Sequence, residues 1–182
     1  SLLEKLERDV ERLSEEDEKL NEDVRRVDRE IVERDKKLNR EVNERVKRLA
    51  EEVKDIRRRV KDDETAKRLL DKVAEEIKEL AKRLEEESRK LVRESEELVK
   101  RLERMSEELV KEIERLVKKL KDEGKLRERA EERLRRIIKR NKEENERTAK
   151  ESRDSIEELK ERNERSKRRL EKILEDLERE TR

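Results

Sequence analysis

Residues 84–120 read LEEESRKLVRESEELVKRLERMSEELVKEIERLVKKL, and their spacing decides the fold. Leu84, Leu102 and Leu120 stand 18 residues apart. Leu80, Leu98 and Leu116 keep the same step, as do Val73, Leu91 and Leu109. The flanking series Ala74, Val92, Val110 and Ala81, Val99, Val117 follow it too. Five turns of a straight α-helix at 3.6 residues per turn come to about 18 residues, so this stripe stays on one face without supercoiling. A heptad repeat would impose a left-handed supercoil, and an eleven-residue repeat a right-handed one.

The same step extends outward in both directions. Leu13, Ile31, Leu49 and Leu20, Leu38, Ile56 carry it toward the N-terminus. Leu134, Ser152, Leu170 and Ile138, Ile156, Leu174 carry it toward the C-terminus. Two breaks interrupt it. Lys121-Asp122-Glu123-Gly124-Lys125 holds the single glycine, the residue expected in a left-handed conformation just past a helix end. Lys61-Asp62-Asp63-Glu64-Thr65 offers an Asp N-cap with acids in the following first turn. Across that break the stripe Val53, Ile56, Val60 resumes at Ala66, Leu70, Val73, about one residue out of step.

These signals predict an all-α fold: an antiparallel three-helix bundle of long (~60-residue), nearly straight helices, each ~90 Å long at 1.5 Å per residue. A single bundle over 1–182 is expected, with helix 1 about 2–61, helix 2 about 64–122 and helix 3 about 126–180. From Lys139 to Arg169 the only apolar residues are Ala149, Ile156 and Leu159, so helix 3 is expected to fray or exchange first.

Composition narrows the chemistry. Of 182 residues, 62% are charged and 28% hydrophobic, yet 57 basic and 56 acidic side chains leave a net charge of only +1. Heavy charge with low hydrophobicity is the usual mark of disorder. Here Pro is absent, Gly occurs once, and strong helix formers dominate, so helix is expected instead. There is no His, Cys or aromatic residue. The commonest general base and metal ligand are therefore missing, as are thiolate nucleophiles and base-stacking platforms. No cofactor or metal is expected. The basic triplets Arg57-Arg58-Arg59 and Lys167-Arg168-Arg169 lie among acids and read as solvated helix faces, so no nucleic-acid footprint is expected. No apolar run is long enough to span a membrane, and the N-terminus shows no signal peptide.

Polar residues occupy positions where the repeat calls for apolar ones. Asp17 and Asp35 hold the register of Val53, and Asp28 that of Val10 and Val46. Ser88 and Ser106 hold the register of Leu70, and Ser95 that of Ile77 and Ile113. Asn21 and Asn39, Asn145 and Asn163, and Thr148 and Ser166 form further pairs at the same step. Folding the two hairpins places residue i of helix 1 beside about 125 − i on helix 2 and about i + 123 on helix 3. Asp17 and Asn21 then lie level with Ser106 and with Asn141 or Asn145. Asp28 lies level with Ser95 and with Ser152 or Ser155. Asp35 and Asn39 lie level with Ser88 and Asn163. Three buried polar layers are expected, each drawing on all three helices. A buried carboxylate needs donors around it, and Ser and Asn supply them. Such layers add little net stability but discriminate between registers and partner numbers.

With its 18-residue repeat, Leu/Val/Ile core, polar layers, Glu/Lys/Arg surface and lack of Gln, the whole chain resembles computationally designed parametric helical bundles with buried hydrogen-bond networks. The segment Ser88–Leu102, SRKLVRESEELVKRL, is characteristic of them. That resemblance implies a structural scaffold, monomeric or self-assembling, without catalytic activity. The residues agree: Ser beside Asp lacks the intervening base that nucleophilic catalysis needs. The expected function is a scaffold whose polar layers specify register and topology, a monomer needing no partner. The alternative is a self-assembly or partner-binding module, in which the layers and the wide apolar face of helix 2 form an intermolecular interface.

Overall fold

A computed structural model describes residues 2–124 and 128–180. Three α-helices account for nearly all of them: α1 (Leu2–Arg59), α2 (Asp63–Asp122) and α3 (Glu128–Glu180). Residues 126 and 127, where helix 3 is expected to begin, lie outside the described residues.

The ends of the helices follow from local chemistry. Asp62 caps α2: its carboxylate accepts hydrogen bonds from the Thr65 backbone N–H at 3.3 Å and from the Thr65 hydroxyl at 2.5 Å. The Thr65 side chain, then its backbone N–H, holds the Asp62 carboxyl below its ordinary range. Asp63 and Glu64 add negative charge to the first turn of α2, while Arg57, Arg58 and Arg59 place cations at the end of α1. Gly124 adopts φ +66°, and its N–H donates to the Lys121 carbonyl at 3.0 Å. This conformation strains any residue with a Cβ.

The chain forms two compact units, each containing a segment of all three helices. The first comprises the chain up to Glu30 together with Glu94–Ser155, and the second Ile31–Arg93 together with Ile156 onward. In the first, Leu6, Val10 and Leu13 of α1 meet Ile113 and Leu120 of α2 and Leu134 of α3. In the second, Leu38 to Val53 of α1 meet Leu70 to Leu84 of α2 and Leu170 and Leu177 of α3.

Contacts within each unit establish direction and register. In the first, Arg153 pairs with Glu103 and Lys142 with Glu114, so α3 ascends in sequence as α2 descends. In the second, Arg45 pairs with Glu76 and Arg83 with Glu41, which sets α1 and α2 antiparallel. The buried α1–α3 hydrogen bonds join residues 124 or 127 apart in both units, against an expected offset of 123. The residual difference is at most about one helical turn. Most surface ion pairs are exposed, and such pairs contribute a few tenths of a kcal/mol or nothing.

Periodicity places both the Leu102 and the Leu98 series in the apolar stripe, but packing puts only the first at its centre. Leu84, Leu102 and Leu120 are fully enclosed, whereas Leu80, Leu98 and Leu116 are half-buried on its flank. Both series share the 18-residue step; only the packing of two neighbouring helices distinguishes centre from edge. Leu102→Ala is expected to cost about 2–5 kcal/mol in a urea-unfolding titration. Leu98→Ala is expected to cost less than half as much, because its cavity opens to solvent.

Candidate functional site

The interior polar groups form layers, and the second unit holds the best-connected one. Asn39, on the inner face of α1, donates to the Asn163 Oδ1 at 2.9 Å and to the Asp35 carbonyl at 2.9 Å. Its own Oδ1 accepts from the Ser166 hydroxyl at 2.6 Å. Asn163 in turn donates to the Ser88 hydroxyl of α2. Asp35 is fully buried, and Arg162 of α3 donates to its Oδ2 at 2.6 Å. All three helices are thereby tied together. Burial raises the Asp35 carboxyl above its ordinary range, and Arg162, Asn163 and Asn39 pull it back.

In the first unit Asn21 of α1 donates to the Asn145 Oδ1 at 2.6 Å and to the Asp17 carbonyl at 2.8 Å. The Ser14 hydroxyl donates to the Asn141 Oδ1 at 3.2 Å. The two layers correspond position by position at the 18-residue step: Asp17 with Asp35, Asn21 with Asn39, Ser106 with Ser88, Asn145 with Asn163, Thr148 with Ser166. They differ in completeness. Both Asp17 carboxylate oxygens, Asn21 Oδ1, the Asn141 and Asn145 amide nitrogens, and the Ser106 and Thr148 hydroxyls are buried without a hydrogen-bond partner. No atom of the Asp35 layer shares that condition. Burial pushes the Asp17 carboxyl up to about 6; the Asn145 amide opposes the shift, and the carboxylates of Glu144 and Glu18 add to it.

Elsewhere in the first unit, Asp28 is 9% exposed, and Ser95 and Ser152 are buried at 2% each. Burial raises the Asp28 carboxyl, Ser155 lowers it, and Glu151 raises it. Among the sequence-derived residues, only Ser88 and Ser155 are half-buried rather than buried. Two participants, Ser14 and Arg162, escape sequence reading, and a third is legible only in part. Ser14 has no polar equivalent at the repeat step. Arg162 carries a charge, so hydropathy places it on the surface. Ser166 was visible through its pairing with Thr148 but carried no assigned role.

An open groove of about 680 Å³ runs between α2 and α3 of the first unit, with Leu102, Val110 and Ala149 in its walls and Ser106 and Asn145 beside them. Among the described residues of the layers, no side chain stands as a base between a Ser and an Asp. Among the described residues, no group of three or more acidic side chains could hold a metal ion, and no helix is long and apolar enough to cross a membrane.

No protein-family model matches the chain, and no curated protein matches it. Among solved structures, it is similar to one described as a computationally designed three-helix bundle. The identity is 19%, the alignment covers 98% of this chain and 89% of that one, and the TM-score is 0.45.

The Asp35 layer yields a direct test. Arg162→Met leaves a buried carboxylate without its cation and is expected to cost on the order of 3 kcal/mol in urea unfolding. Asp35→Leu is expected to cost clearly less or to stabilise, since Arg162 can turn to solvent.

Proposed function

We propose that this chain is a computationally designed structural scaffold, a helical bundle whose buried polar layers specify helix register and topology. In this reading it has no catalytic activity and no natural biochemical role. It works as a monomer and requires no cofactor, nucleic acid or membrane. The observation that carries the reading is the recurrence of the Asp/Asn/Ser/Asn layer at a strict 18-residue step on all three helices. A chain of 182 residues without Gln, His, Cys, Pro or any aromatic residue supports the same origin.

Layers of this kind act through selectivity. A register slipped by one turn would separate Asn39 from Asn163 and leave buried amide groups unpaired, at a cost of about 1–3 kcal/mol for each unsatisfied group. The in-register state avoids that cost, so the layers penalise alternatives more than they stabilise the native arrangement.

The test replaces Asp17, Asn21, Asp35, Asn39, Ser88, Ser106, Asn145 and Asn163 with Leu or Val. The unfolding midpoint is expected to stay or rise, while size-exclusion chromatography with light scattering resolves more than one species. A single 22.4 kDa species with unchanged helix register would contradict the proposal.

A second reading, an assembly module, draws support from one observation. The Ser106 hydroxyl and the Asn145 amide nitrogen lack partners at the α2–α3 groove, and Met105, next to Ser106 in sequence, is an exposed large apolar residue. A parent chain with a mass of two or more copies in the same light-scattering experiment would favour it.

A further inference from the structure

The correspondence between the two layers reverses in charge at one position. Arg162, which neutralises Asp35, stands 18 residues after Glu144, so the first unit has a carboxylate where the second has a guanidinium. We propose that Asp17 is a proton-binding site that couples the packing of the first unit to pH: a bound proton does there what Arg162 does for Asp35.

The geometry leaves the proton as the natural occupant. Asp17 is fully buried, neither of its carboxylate oxygens receives a hydrogen bond within 3.5 Å, and the one donor that faces it is the neutral Asn145 amide. The charges facing it are acidic: Glu18 on its own helix and Glu144 on α3. The cations around the layer are engaged with glutamates; at the α2–α3 groove Lys142 pairs with Glu114 and Arg153 with Glu103. Arg25 lies 3.6 Å from Glu144 and 3.3 Å from Glu151, and Arg140 lies 3.9 Å from Glu18. From α2 the layer receives Ser106, with the exposed Glu103 and Glu107 flanking it in sequence. An ionised Asp17 therefore has no compensating charge. A protonated Asp17 carries an O–H, and Asn21, one turn along the same helix, has a buried Oδ1 with no donor. Burial raises the Asp17 carboxyl to about 6, in line with this reading.

The sign of the linkage is set by that elevation. A carboxyl whose pKa is higher in the folded than in the unfolded chain takes up a proton on folding. Its stabilising contribution is complete below about pH 4 and is lost as pH rises through about 6. From pH 7 to pH 5 the opening equilibrium of the first unit should become about tenfold less favourable. Asp28, the other buried carboxyl of this unit, faces Ser155 and Glu151 and contributes in the same direction.

The experiment is a carboxyl-carbon NMR titration of the full chain, with amide hydrogen exchange at pH 5 and pH 7 corrected for intrinsic rates. Asp17 is expected to titrate near pH 6. The protection of amides around Asn21 and Asn145 should be about tenfold greater at pH 5, and most of that difference should vanish in Asp17→Asn. In Glu144→Arg the Asp17 midpoint should fall by at least a pH unit. An Asp17 carboxyl titrating near pH 4 in the parent chain overturns the proposal. So does an Asp17→Asn variant that keeps the full pH difference. Should that variant fail to fold, the parent titration alone decides.

Discussion

A polar group taken out of water must find a partner, and this requirement governs the interior. Hydrophobic burial alone would accept many alignments of three helices whose apolar stripes repeat every five turns. Sliding one helix along another by a turn or two would still bury apolar side chains against apolar side chains. The hydrogen bonds of Asn39 with Asn163 and of Asn21 with Asn145 remove that degeneracy. Each pair is made in the observed alignment and broken when one helix slides by a turn. Apolar packing supplies the driving force, and the amides select among its solutions.

The two units show how sensitive such selection is to a single side chain. Around Asp35, a guanidinium, two amides and two hydroxyls close a connected network. Around Asp17 the same residue types are present, but the charged position is reversed and buried groups remain unpartnered. Inward-facing positions of α3 in that unit include Asn141, Asn145, Thr148 and Ser152, so polar groups replace much of the apolar surface α3 would otherwise bury. An under-satisfied polar layer weakens its surroundings more than an apolar one would. The first unit is therefore the more responsive to pH and to substitution.

Much of this was legible in the sequence because regularity amplifies weak signals. The 18-residue step identified the helices, and Gly124 and Asp62 marked the breaks. The hairpin arithmetic then brought Asn21 beside Asn145 and Asn39 beside Asn163 to within about one turn. What stayed hidden has common physical causes. Leu98 and Leu102 share a period, and only the packing of neighbouring helices separates flank from centre. Arg162 looks like surface because its charge is read before its reach, whereas a long side chain can cover a buried carboxylate from the rim. Ser14 has no repeat equivalent to announce it. The inequality between the Asp17 and Asp35 layers depends on side-chain geometry, which residue types alone do not encode.

The claim that interior amides hold α1 and α3 in register is tested most directly by the side-chain amide protons of Asn21, Asn39, Asn145 and Asn163 in solution NMR. The account predicts slow exchange with water and cross-relaxation between Asn39 and Asn163 and between Asn21 and Asn145. Rapid exchange of those amides, or cross-relaxation to residues displaced by a full turn, would contradict it.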